Sequence, residues 1–496
     1  MVQNYSRRGF LTVLAAASAV PAWAAPPGIS LRPHTRPSGL HKQAIPAAEA
    51  LIRKAGLSGQ IGFAVANTAT GRVLESHEGS LGLPPASVTK SITTLYALEK
   101  LGPTHRFRTR LIATGPVENG VLKGDLVLAG GGDPTLDTDA LADMARKLKA
   151  AGVREVRGQF KVWAGTLPYV GKIDQNQPDH VGYNPSISGL ALNFNRVHFE
   201  WRRSGKGWGV SMDARSAKYR PDVVVAKMTV KNRQLPVYTY ESRGGTDHWT
   251  VASGALGNGG SRWLPVRRPD KYAGDVFRTL ARAHGIQLKT ETITDALPAG
   301  TTVVTHQSAV LRDILRLMLK YSTNLSAEMI GLAATRVEDP KAASLVASGQ
   351  AMTRWARANL GMTQARFVDH SGLGDASRVT AADMVRALDT PVARQQLKPI
   401  LKQITLRHAD GKPNKNHPLK VVAKTGTLNF ASALAGYVTA TDGSELAFAI
   451  FTADQQRRSA LGKDDRERPT GSRTWIRKSK RLQQTLLERW GTLYGA

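Results

Sequence analysis

Cysteine is absent from this chain of 496 residues. Without thiols the protein has no disulfide bond, no thiolate zinc site, no iron–sulfur cluster and no cysteine nucleophile. Histidine is also sparse, and its 12 copies show no His-Glu-x-x-His or similar ligand spacing. The sequence therefore predicts no metal site, and a covalent mechanism would have to use a nucleophile other than cysteine.

Acidic residues are few relative to basic ones. The chain has 38 Asp and Glu against 68 Lys and Arg, which gives a formal net charge of +30. This charge favours anionic partners, and nucleic acid, acidic lipid and an acidic cell-wall polymer all remain open on charge alone. No stretch combines aromatic and basic residues as an RNP1-like module does, so we do not predict binding to nucleic acid.

Long hydrophobic runs are lacking as well. The apolar stretch at residues 11–20 is shorter than the about 20 residues that a membrane-spanning helix needs. It follows Arg7 and Arg8 and leads to small residues ending at Ala24, which is the pattern of a cleavable export signal. We predict a signal peptide over residues 1–24, a periplasmic location, and no transmembrane segment after cleavage. The paired arginines indicate the twin-arginine route, with the general route as the alternative.

Apolar periodicity divides the rest of the chain into helical and β-rich stretches. Residues 104–300 consist mainly of short strand-like pieces, and 164–260 are read as β-rich with long loops. Predicted helices cover residues 41–54, 87–101, 140–151, 270–284, 309–320, 325–334 and 480–494. Predicted strands outside 164–260 cover residues 61–66, 72–76, 107–113, 121–122, 126–128, 421–423, 433–438 and 446–451.

The last predicted helix, 480–494, carries Leu482, Leu486 and Trp490 on one face. We expect this face to pack on the neighbouring strands. The alternative is a basic helix that lies on a membrane surface, so a loose association with membrane or wall is a hypothesis at this stage.

The first motif that indicates chemistry is Ser87-Val88-Thr89-Lys90, at the predicted start of a helix. Residues i and i+3 share a helix face, so the lysine amine can reach the serine hydroxyl. Serine needs a neighbouring base to act as a nucleophile, and lysine can be that base when burial or nearby positive charge lowers its pKa. By itself the motif also fits a serine at a helix N-terminus followed by a solvated lysine.

The second motif, Ser322-Thr323-Asn324, lies between two predicted helices. A hydroxyl and a carboxamide at this point can relay a proton and orient a lysine or a substrate amide. A polar turn between helices would explain the motif equally simply when it is taken alone.

The third motif, Lys424-Thr425-Gly426-Thr427, directly follows an apolar strand. Lysine and threonine on an exposed strand edge can bind a substrate carboxylate, and the glycine permits close approach of another backbone. An ordinary strand end with a glycine turn is the alternative for this motif in isolation.

Taken together, and in this order, the three motifs resemble those of the penicillin-recognising serine enzymes, the β-lactamases and penicillin-binding proteins. Thr323 replaces the aspartate of the related Ser-Asp-Asn motif. Ser322 lies 235 positions after Ser87, which is far more than the spacing of a compact β-lactamase. This spacing resembles that of the class C low-molecular-mass penicillin-binding proteins, the D-alanyl-D-alanine carboxypeptidase/endopeptidases of the penicillin-binding protein 4 type.

Shorter matches along the chain support the resemblance. The position before Ser371, usually glycine in the family, is His370 in this chain, which leaves the local loop shape open. The matches are Gly131-Gly132-Asp133-Pro134-Thr135-Leu136, Asn193-Phe194-Asn195 and Ser371-Gly372-Leu373.

The resemblance implies an α/β (α+β) fold: a β-lactamase-like transpeptidase domain with an antiparallel sheet and helices, interrupted by a large β-rich insertion. The peptidase domain would comprise residues 25–103 and 301–496. Residues 104–300 would form the insertion, in two subdomains. The implied partners are peptidoglycan peptides ending in D-Ala-D-Ala and β-lactam antibiotics, and no cofactor is needed.

The resemblance also implies the role of each motif residue in catalysis. Ser87 would attack the carbonyl between two D-alanines, with neutral Lys90 taking its proton. Ser322 would pass a proton to the leaving amine, while Asn324 orients Lys90 and the substrate peptide. Lys424 would contribute positive potential near the substrate.

Substrate binding is implied for the remaining residues of the third motif. Thr425 and Thr427 would hydrogen-bond the terminal carboxylate, beside Gly426. The backbone N–H groups of Ser87 and Thr427 would form the oxyanion hole.

Three other functions remain as alternatives. Asp369-His370-Ser371 suggests a Ser-His-Asp hydrolase, but the side chains of three adjacent residues rarely converge, and Gly-x-Ser-x-Gly is absent there. A serine β-lactamase would share all three motifs, and only the long insertion argues against it. A catalytically silent cell-wall-binding protein would not need the motif residues intact.

Overall fold

The computed structural model describes residues 45–495. The predicted signal peptide lies outside the described residues, and so does the start of the predicted helix at 41–54. The described helices, in chain order, are α1 (Ala48–Ala55), α2 (Thr89–Leu101), α3 (Thr138–Ala150), α4 (Pro269–Ala283), α5 (Leu311–Tyr321), α6 (Asn324–Glu338), α7 (Leu345–Leu360), α8 (Ala381–Asp389), α9 (Gln455–Ser459) and α10 (Ser472–Leu493).

The strands follow the predicted division into terminal and central stretches. They are β1 (Gln60–Asn67), β2 (Val73–His77), β3 (Arg108–Ala113), β4 (Val117–Glu118), β5 (Val121–Leu122), β6 (Leu126–Ala129), β7 (Glu155–Val156), β8 (Phe160–Trp163), β9 (Arg196–Ser204), β10 (Gly207–Asp213), β11 (Ala226–Lys231), β12 (Tyr238–Arg243), β13 (Thr246–Ala252), β14 (Gly259–Pro265), β15 (Thr292–Thr294), β16 (Thr301–Gln307), β17 (Lys402–Ile404), β18 (Lys420–Leu428), β19 (Ala431–Thr439) and β20 (Glu445–Ala453).

One antiparallel sheet joins the two ends of the described chain. Its six strands run in the order β17-β18-β19-β20-β1-β2, and every neighbouring pair is antiparallel. The predicted hairpin of β1 and β2 is present, and β1 pairs along its whole length with β20. The sheet therefore places the first two strands beside the last four, although more than 300 residues separate them.

The two faces of this sheet carry side chains of different size, because successive residues of a strand point to opposite faces. Small residues such as Ala435 and Ala449 face the core that contains α2, α5, α6 and α8. Larger residues such as Phe448 face α1 and α10. Helix α2 can therefore approach one face closely, while the other face is covered by a separate apolar layer.

The C-terminal helix α10 packs on the sheet, as expected, and begins at Ser472, earlier than predicted. Leu486 and Trp490 are fully buried against the sheet. The membrane-surface alternative is wrong for this apolar face, because the sheet already covers it. Within residues 45–495, no helix is both long and apolar enough to span a bilayer.

Residues between α2 and α5 form a second apolar core of their own. A five-stranded sheet, in the order β15-β8-β6-β3-β16, packs against α3 and α4 through side chains such as Leu128, Phe160 and Phe277. Further three-stranded sheets, β10-β9-β14 and β11-β13-β12, follow in the stretch that was predicted to be β-rich.

Three local predictions need correction. The chain at residues 45–47 is not helical, so the first described helix starts later than predicted. Three helices, α7, α8 and α9, were not predicted. The stripe of apolar residues on α7 is interrupted by Gly349 and by the buried polar side chains of Ser348 and Thr353, while α8 has only 9 residues and α9 only 5. The predicted helix at 87–101 begins as a 3₁₀ turn, which bears directly on the site.

Candidate active site

Ser87 lies in a single 3₁₀ turn, Ala86–Val88, immediately before α2. The backbone of Ala86 has a φ of +45°, an uncommon conformation for a residue with a side chain. This sharp entry leaves Ser87 half-buried at the tip of the turn and places Lys90 in the first turn of α2, where it is fully buried.

The Lys90 amine contacts three acceptors. Its Nζ lies 3.0 Å from Ser87 Oγ, 2.8 Å from Asn324 Oδ1 and 2.8 Å from the carbonyl oxygen of Ser371. Burial lowers the pKa of Lys90 to about 8, and the carboxyl groups of Glu328 and Asp369 oppose this shift. Because this pKa lies close to neutral pH, a minor part of the lysine is neutral there, while its nitrogen stays within hydrogen-bond distance of the serine.

Ser322 and Asn324 belong to the junction between α5 and α6, as predicted. Ser322 ends α5 with a left-handed φ of +58°, and Asn324 is the first residue of α6. The Asn324 amide uses both of its ends: Oδ1 accepts from Lys90, and Nδ2 donates to the carbonyl of Tyr183 at 2.9 Å. The sharp bend thus turns the side chain of Asn324 towards Lys90.

Lys424 is the second buried lysine of the site. Its Nζ donates to Ser322 Oγ at 2.9 Å and to the carbonyl of Thr425 at 2.7 Å. Burial lowers the pKa of Lys424 well below its usual range, and the nearby positive charges of Lys90 and Lys402 act in the same direction. All three motifs therefore meet: the first binds the second through Lys90, and the second binds the third through Ser322.

Strand β18 is not the outermost strand of the sheet, which corrects the prediction of an edge strand. The short strand β17 pairs with residues 421–423 and goes no further. Among residues 45–495, no strand pairs with this edge of β18 at the half that carries the motif. Thr425 and Thr427 are exposed there, whereas Lys424 and Gly426 are buried.

Gly426 and Gly372 both face the turn that carries Ser87. A methyl group on Gly426 would lie 2.8 Å from the carbonyl oxygen of Pro85 and 3.1 Å from the nitrogen of Ser87. A methyl group on Gly372 would lie 1.9 Å from the carbonyl oxygen of Ala86. Both glycines thus permit backbone contacts that any side chain would prevent.

Asp369, His370 and Ser371 do not form a catalytic triad. The His370 ring is buried, with Nε2 2.7 Å from Ser348 Oγ and Nδ1 3.3 Å from the sulfur of Met352. Burial lowers the pKa of this imidazole to about 3, so it is neutral. The Ser-His-Asp alternative is wrong because neither neighbour of His370 in the sequence contacts its ring.

His370 is accommodated by a glycine on α6. A methyl group on Gly331 would lie 2.1 Å from the His370 ring, so the histidine depends on this glycine for space. The unusual residue before Ser371 therefore fills a gap between α6 and α7 and leaves the loop carbonyl free to reach Lys90.

Glu328 was missed altogether from the sequence and Asp369 was considered only as a member of a triad, whereas both are buried carboxyl groups next to the site. Glu328 lies four residues after Asn324, in an otherwise apolar part of α6. A single acidic residue within an apolar helical stretch is the signal that could have identified it. In residues 45–495, no group of three or more acidic or histidine side chains is arranged to hold a metal ion.

Comparison with known proteins identifies the family. The profile of the D-Ala-D-Ala carboxypeptidase 3 (S13) family matches residues 47–468. The chain belongs to the S13 family. This confirms the family predicted from the three motifs: the protein is a serine-type D-Ala-D-Ala carboxypeptidase, a hydrolase with the predicted fold class.

Individual S13 relatives match over most of their length. A D-alanyl-D-alanine carboxypeptidase of Actinomadura sp. (strain R39) is 28% identical over 81% of this chain and 79% of its own. The D-alanyl-D-alanine carboxypeptidase DacB of Haemophilus influenzae is 23% identical over 81% of this chain and 87% of its own. The crystal structure of penicillin-binding protein 4 from H. influenzae matches 89% of this chain and 99% of its own chain. The TM-score is 0.73 at 20% sequence identity, so the two proteins share a fold.

We predict that Gly372→Ala slows D-alanine release from a D-Ala-D-Ala peptide by about 100-fold, because the added methyl group must displace the turn that carries Ser87. Gly411→Ala is the matched control: its φ of +85° resembles the +74° of Gly372, but its methyl group would meet no atom within 4 Å. Both variants carry the left-handed strain of about 1–2 kcal/mol. Equal rates in the two variants would contradict the prediction.

Proposed function

We propose that this S13 enzyme removes the terminal D-alanine from peptidoglycan stem peptides and cuts cross-links through an acyl-enzyme on Ser87. The observation that carries the proposal is the 3.0 Å contact between Ser87 Oγ and the buried amine of Lys90. Serine becomes a good nucleophile only beside a base, and Lys90 is the basic nitrogen in contact with it.

Acylation would begin with attack of Ser87 Oγ on the carbonyl carbon of the penultimate D-alanine. The hydroxyl proton passes to neutral Lys90, and a C–O bond forms as the carbonyl becomes an oxyanion. The N–H groups of Ser87 and Thr427 would hold that oxyanion. The contact between Gly426 and the turn supports this role, because it brings the two stretches of backbone together.

Collapse of this intermediate breaks the C–N bond and releases the leaving amine. The amine needs a proton, and we assign its delivery to Ser322, which would pass on the proton that Lys90 took from Ser87 and so regain its own. The 2.9 Å contact of Lys424 Nζ with Ser322 Oγ supports this role, because it holds the hydroxyl in place. Asn324 would keep Lys90 in position and offer its amide to the substrate backbone. Water then releases the acyl group and regenerates Ser87.

Thr425 and Thr427 would bind the carboxylate that marks the end of the substrate. Both are exposed on the half of β18 that carries the motif, two residues apart and therefore on the same face. A strand edge without a partner can also pair with an extended peptide. This arrangement supports recognition of a short peptide with a free carboxyl terminus.

We also propose the division into domains that the sequence suggested, with residues 104–300 inserted into a peptidase domain of 25–103 and 301–496. The support is the separation of apolar cores: one contains α2, α5 and the sheet, and the other contains α3, α4 and the five-stranded sheet. Phe107 packs in the first core, so the boundary lies within a few residues of it.

Benzylpenicillin should acylate Ser87 and remain attached. A structure of the H. influenzae penicillin-binding protein 4 is described as complexed with a novel β-lactam, which supports this extension. We expect the intact mass of the mature protein to increase by one penicillin, with no increase for Ser87→Ala. An adduct that disappears while penicillin is consumed would favour the β-lactamase alternative. No adduct on either protein would favour the silent wall-binding alternative.

Export is part of the proposal, and it rests on the sequence of residues 1–24. We expect the mature chain to begin after Ala24. Substitution of Arg7 and Arg8 by lysine should stop export in a host with both routes, because the twin-arginine route requires the arginine pair. Lysine retains the positive charge that the general route accepts. Continued export of this variant would therefore mean that the protein uses the general route instead.

Association with an anionic wall polymer is supported by a basic surface on α1 and α10. We call it the α1–α10 basic surface: its exposed members are Arg53, Lys54, Arg473, Arg477, Lys480 and Arg481. No acidic residue occurs between Glu467 and Glu488 along the chain. Because α10 covers the face of the sheet opposite α2, binding through this surface would leave Ser87 accessible.

We expect retention on purified sacculi to fall as ionic strength rises, since added salt screens charges at the surface. Changing the four α10 members of the basic surface to glutamine should weaken retention more than changing four exposed cations elsewhere. The matched control set is Arg202, Lys206, Lys218 and Arg220. Retention that does not depend on salt would contradict the proposal. Binding to anionic vesicles but not to sacculi would show that the surface binds membranes instead.

A further inference from the structure

Glu328 is a fully buried carboxyl group on α6, one helical turn after Asn324. Its two oxygens bind two consecutive backbone N–H groups: Oε2 accepts from His370 at 3.0 Å and Oε1 accepts from Ser371 at 2.8 Å. A single side chain thus fixes the orientation of two successive peptide groups.

The same loop is held from its other side by Asp369, which is also buried. One oxygen of Asp369 accepts from the N–H of Gly372 at 2.8 Å, and the other accepts from the N–H of Gly374 at 2.6 Å. Four N–H groups of residues 370–374 are therefore bound to two carboxyl groups. Burial raises the pKa of both carboxyl groups, and the hydrogen bonds that they accept from the loop oppose this rise. Four hydrogen bonds in a site without competing water restrain the conformation of this loop.

The peptide group between Ser371 and Gly372 connects this loop to the Lys90 amine. Its carbonyl oxygen accepts from Lys90 Nζ at 2.8 Å, and its N–H donates to Asp369. A change in the orientation of this peptide would remove one of the three acceptors of Lys90. The position of the lysine amine is thus coupled to carboxyl groups that do not themselves contact it.

We propose that Glu328 is a positioning residue for acyl transfer: its carboxylate holds the 369–374 loop so that the Ser371 carbonyl stays on the Lys90 amine. Helix α6 then restrains Lys90 twice, directly through Asn324 and through the loop by way of Glu328. Residues i and i+4 share one helix face, so both restraints act from the same side. This inference rests on the proposed function, in which Lys90 is the base.

Glu328 acts on Lys90 through its charge as well as through the loop, over the pH range in which Glu328 is ionised: burial and the neighbouring Asp369 raise the pKa of Glu328 to about 8. Glu328 on α6 and Asp369 in the loop both oppose the lowering of the pKa of Lys90 by burial. Lys424 on β18 faces Lys90 with like charge, and His370 is a neutral neighbour. Removal of the Glu328 charge should therefore lower the pKa of Lys90, whereas loss of a purely structural contact would leave it unchanged.

The test measures benzylpenicillin acylation rates against pH for the wild type and for Glu328→Gln. The wild-type rate should rise with pH through the pKa of Lys90, because only the neutral amine accepts a proton. In Glu328→Gln, we expect the rate to rise at lower pH than in the wild type. We also expect the plateau rate to fall by about 10- to 100-fold, because one loop N–H loses its acceptor. Glu328→Asp keeps the charge but is one methylene shorter, so its plateau should fall while its rise stays near the wild-type pH.

Asp247→Asn is the matched control. Asp247 is a fully buried carboxyl group that accepts from the backbone N–H of Arg267 at 2.8 Å, within the core of residues 104–300. We expect this variant to lose stability and to keep both the plateau rate and the pH of the rise. This control separates the effect of losing any buried carboxyl group from the effect of losing Glu328 in particular.

A wild-type plateau in Glu328→Gln, or a reduced plateau whose rise stays at the wild-type pH, would overturn the inference. If Glu328→Gln does not fold, Glu328→Asp decides: a wild-type plateau overturns the inference, and a reduced plateau with native circular dichroism supports it. Failure of the proposed function is distinguishable, because then the wild-type protein itself would not be acylated at Ser87.

Discussion

The amine of Lys90 is the point on which the structure of the site depends. A cationic amine removed from water is strongly destabilised unless hydrogen-bond acceptors replace the lost hydration. Here the three acceptors come from Ser87, Asn324 and Ser371, which are far apart in the chain. Folding must bring these three segments together before the lysine can be buried. The same burial lowers the pKa of the amine, which is what the proposed role of Lys90 as a base requires.

Close backbone contact is the second requirement. Gly426 on β18 and Gly372 in the loop approach the turn of Ser87 at distances that exclude a side chain. Small residues on the inner face of the sheet allow α2 and α6 to lie near it. The proposed nucleophile Ser87, the proposed base Lys90 and the exposed threonines of β18 are thereby positioned by rigid elements. A precise arrangement of catalytic groups is more readily maintained on helices and strands than on loops.

The stretch between the first and second motifs also reaches the site. The carbonyl of Tyr183, in a loop of the central region, accepts from Asn324, whose other end binds Lys90. Glu467, between α9 and α10, binds Arg262 and His180 of that region, while the adjacent Arg466 binds Asp375 beside the 369–374 loop. Contacts of this kind connect the orientation of the central region to the geometry around Lys90.

The sequence alone determined the three motifs, their order, the family and most helices and strands, because these depend on local spacing and on apolar periodicity. It could not reveal that Glu328 and Asp369 bind one loop, or that Tyr183 contacts Asn324, because those contacts join residues distant in the chain. Nor could it show that β17 covers only the first part of β18, since strand length and register depend on pairing. The residue types therefore determined which chemistry is available, whereas the tertiary structure decided the environment and pKa of Lys90, because burial and distance exist only in the folded chain.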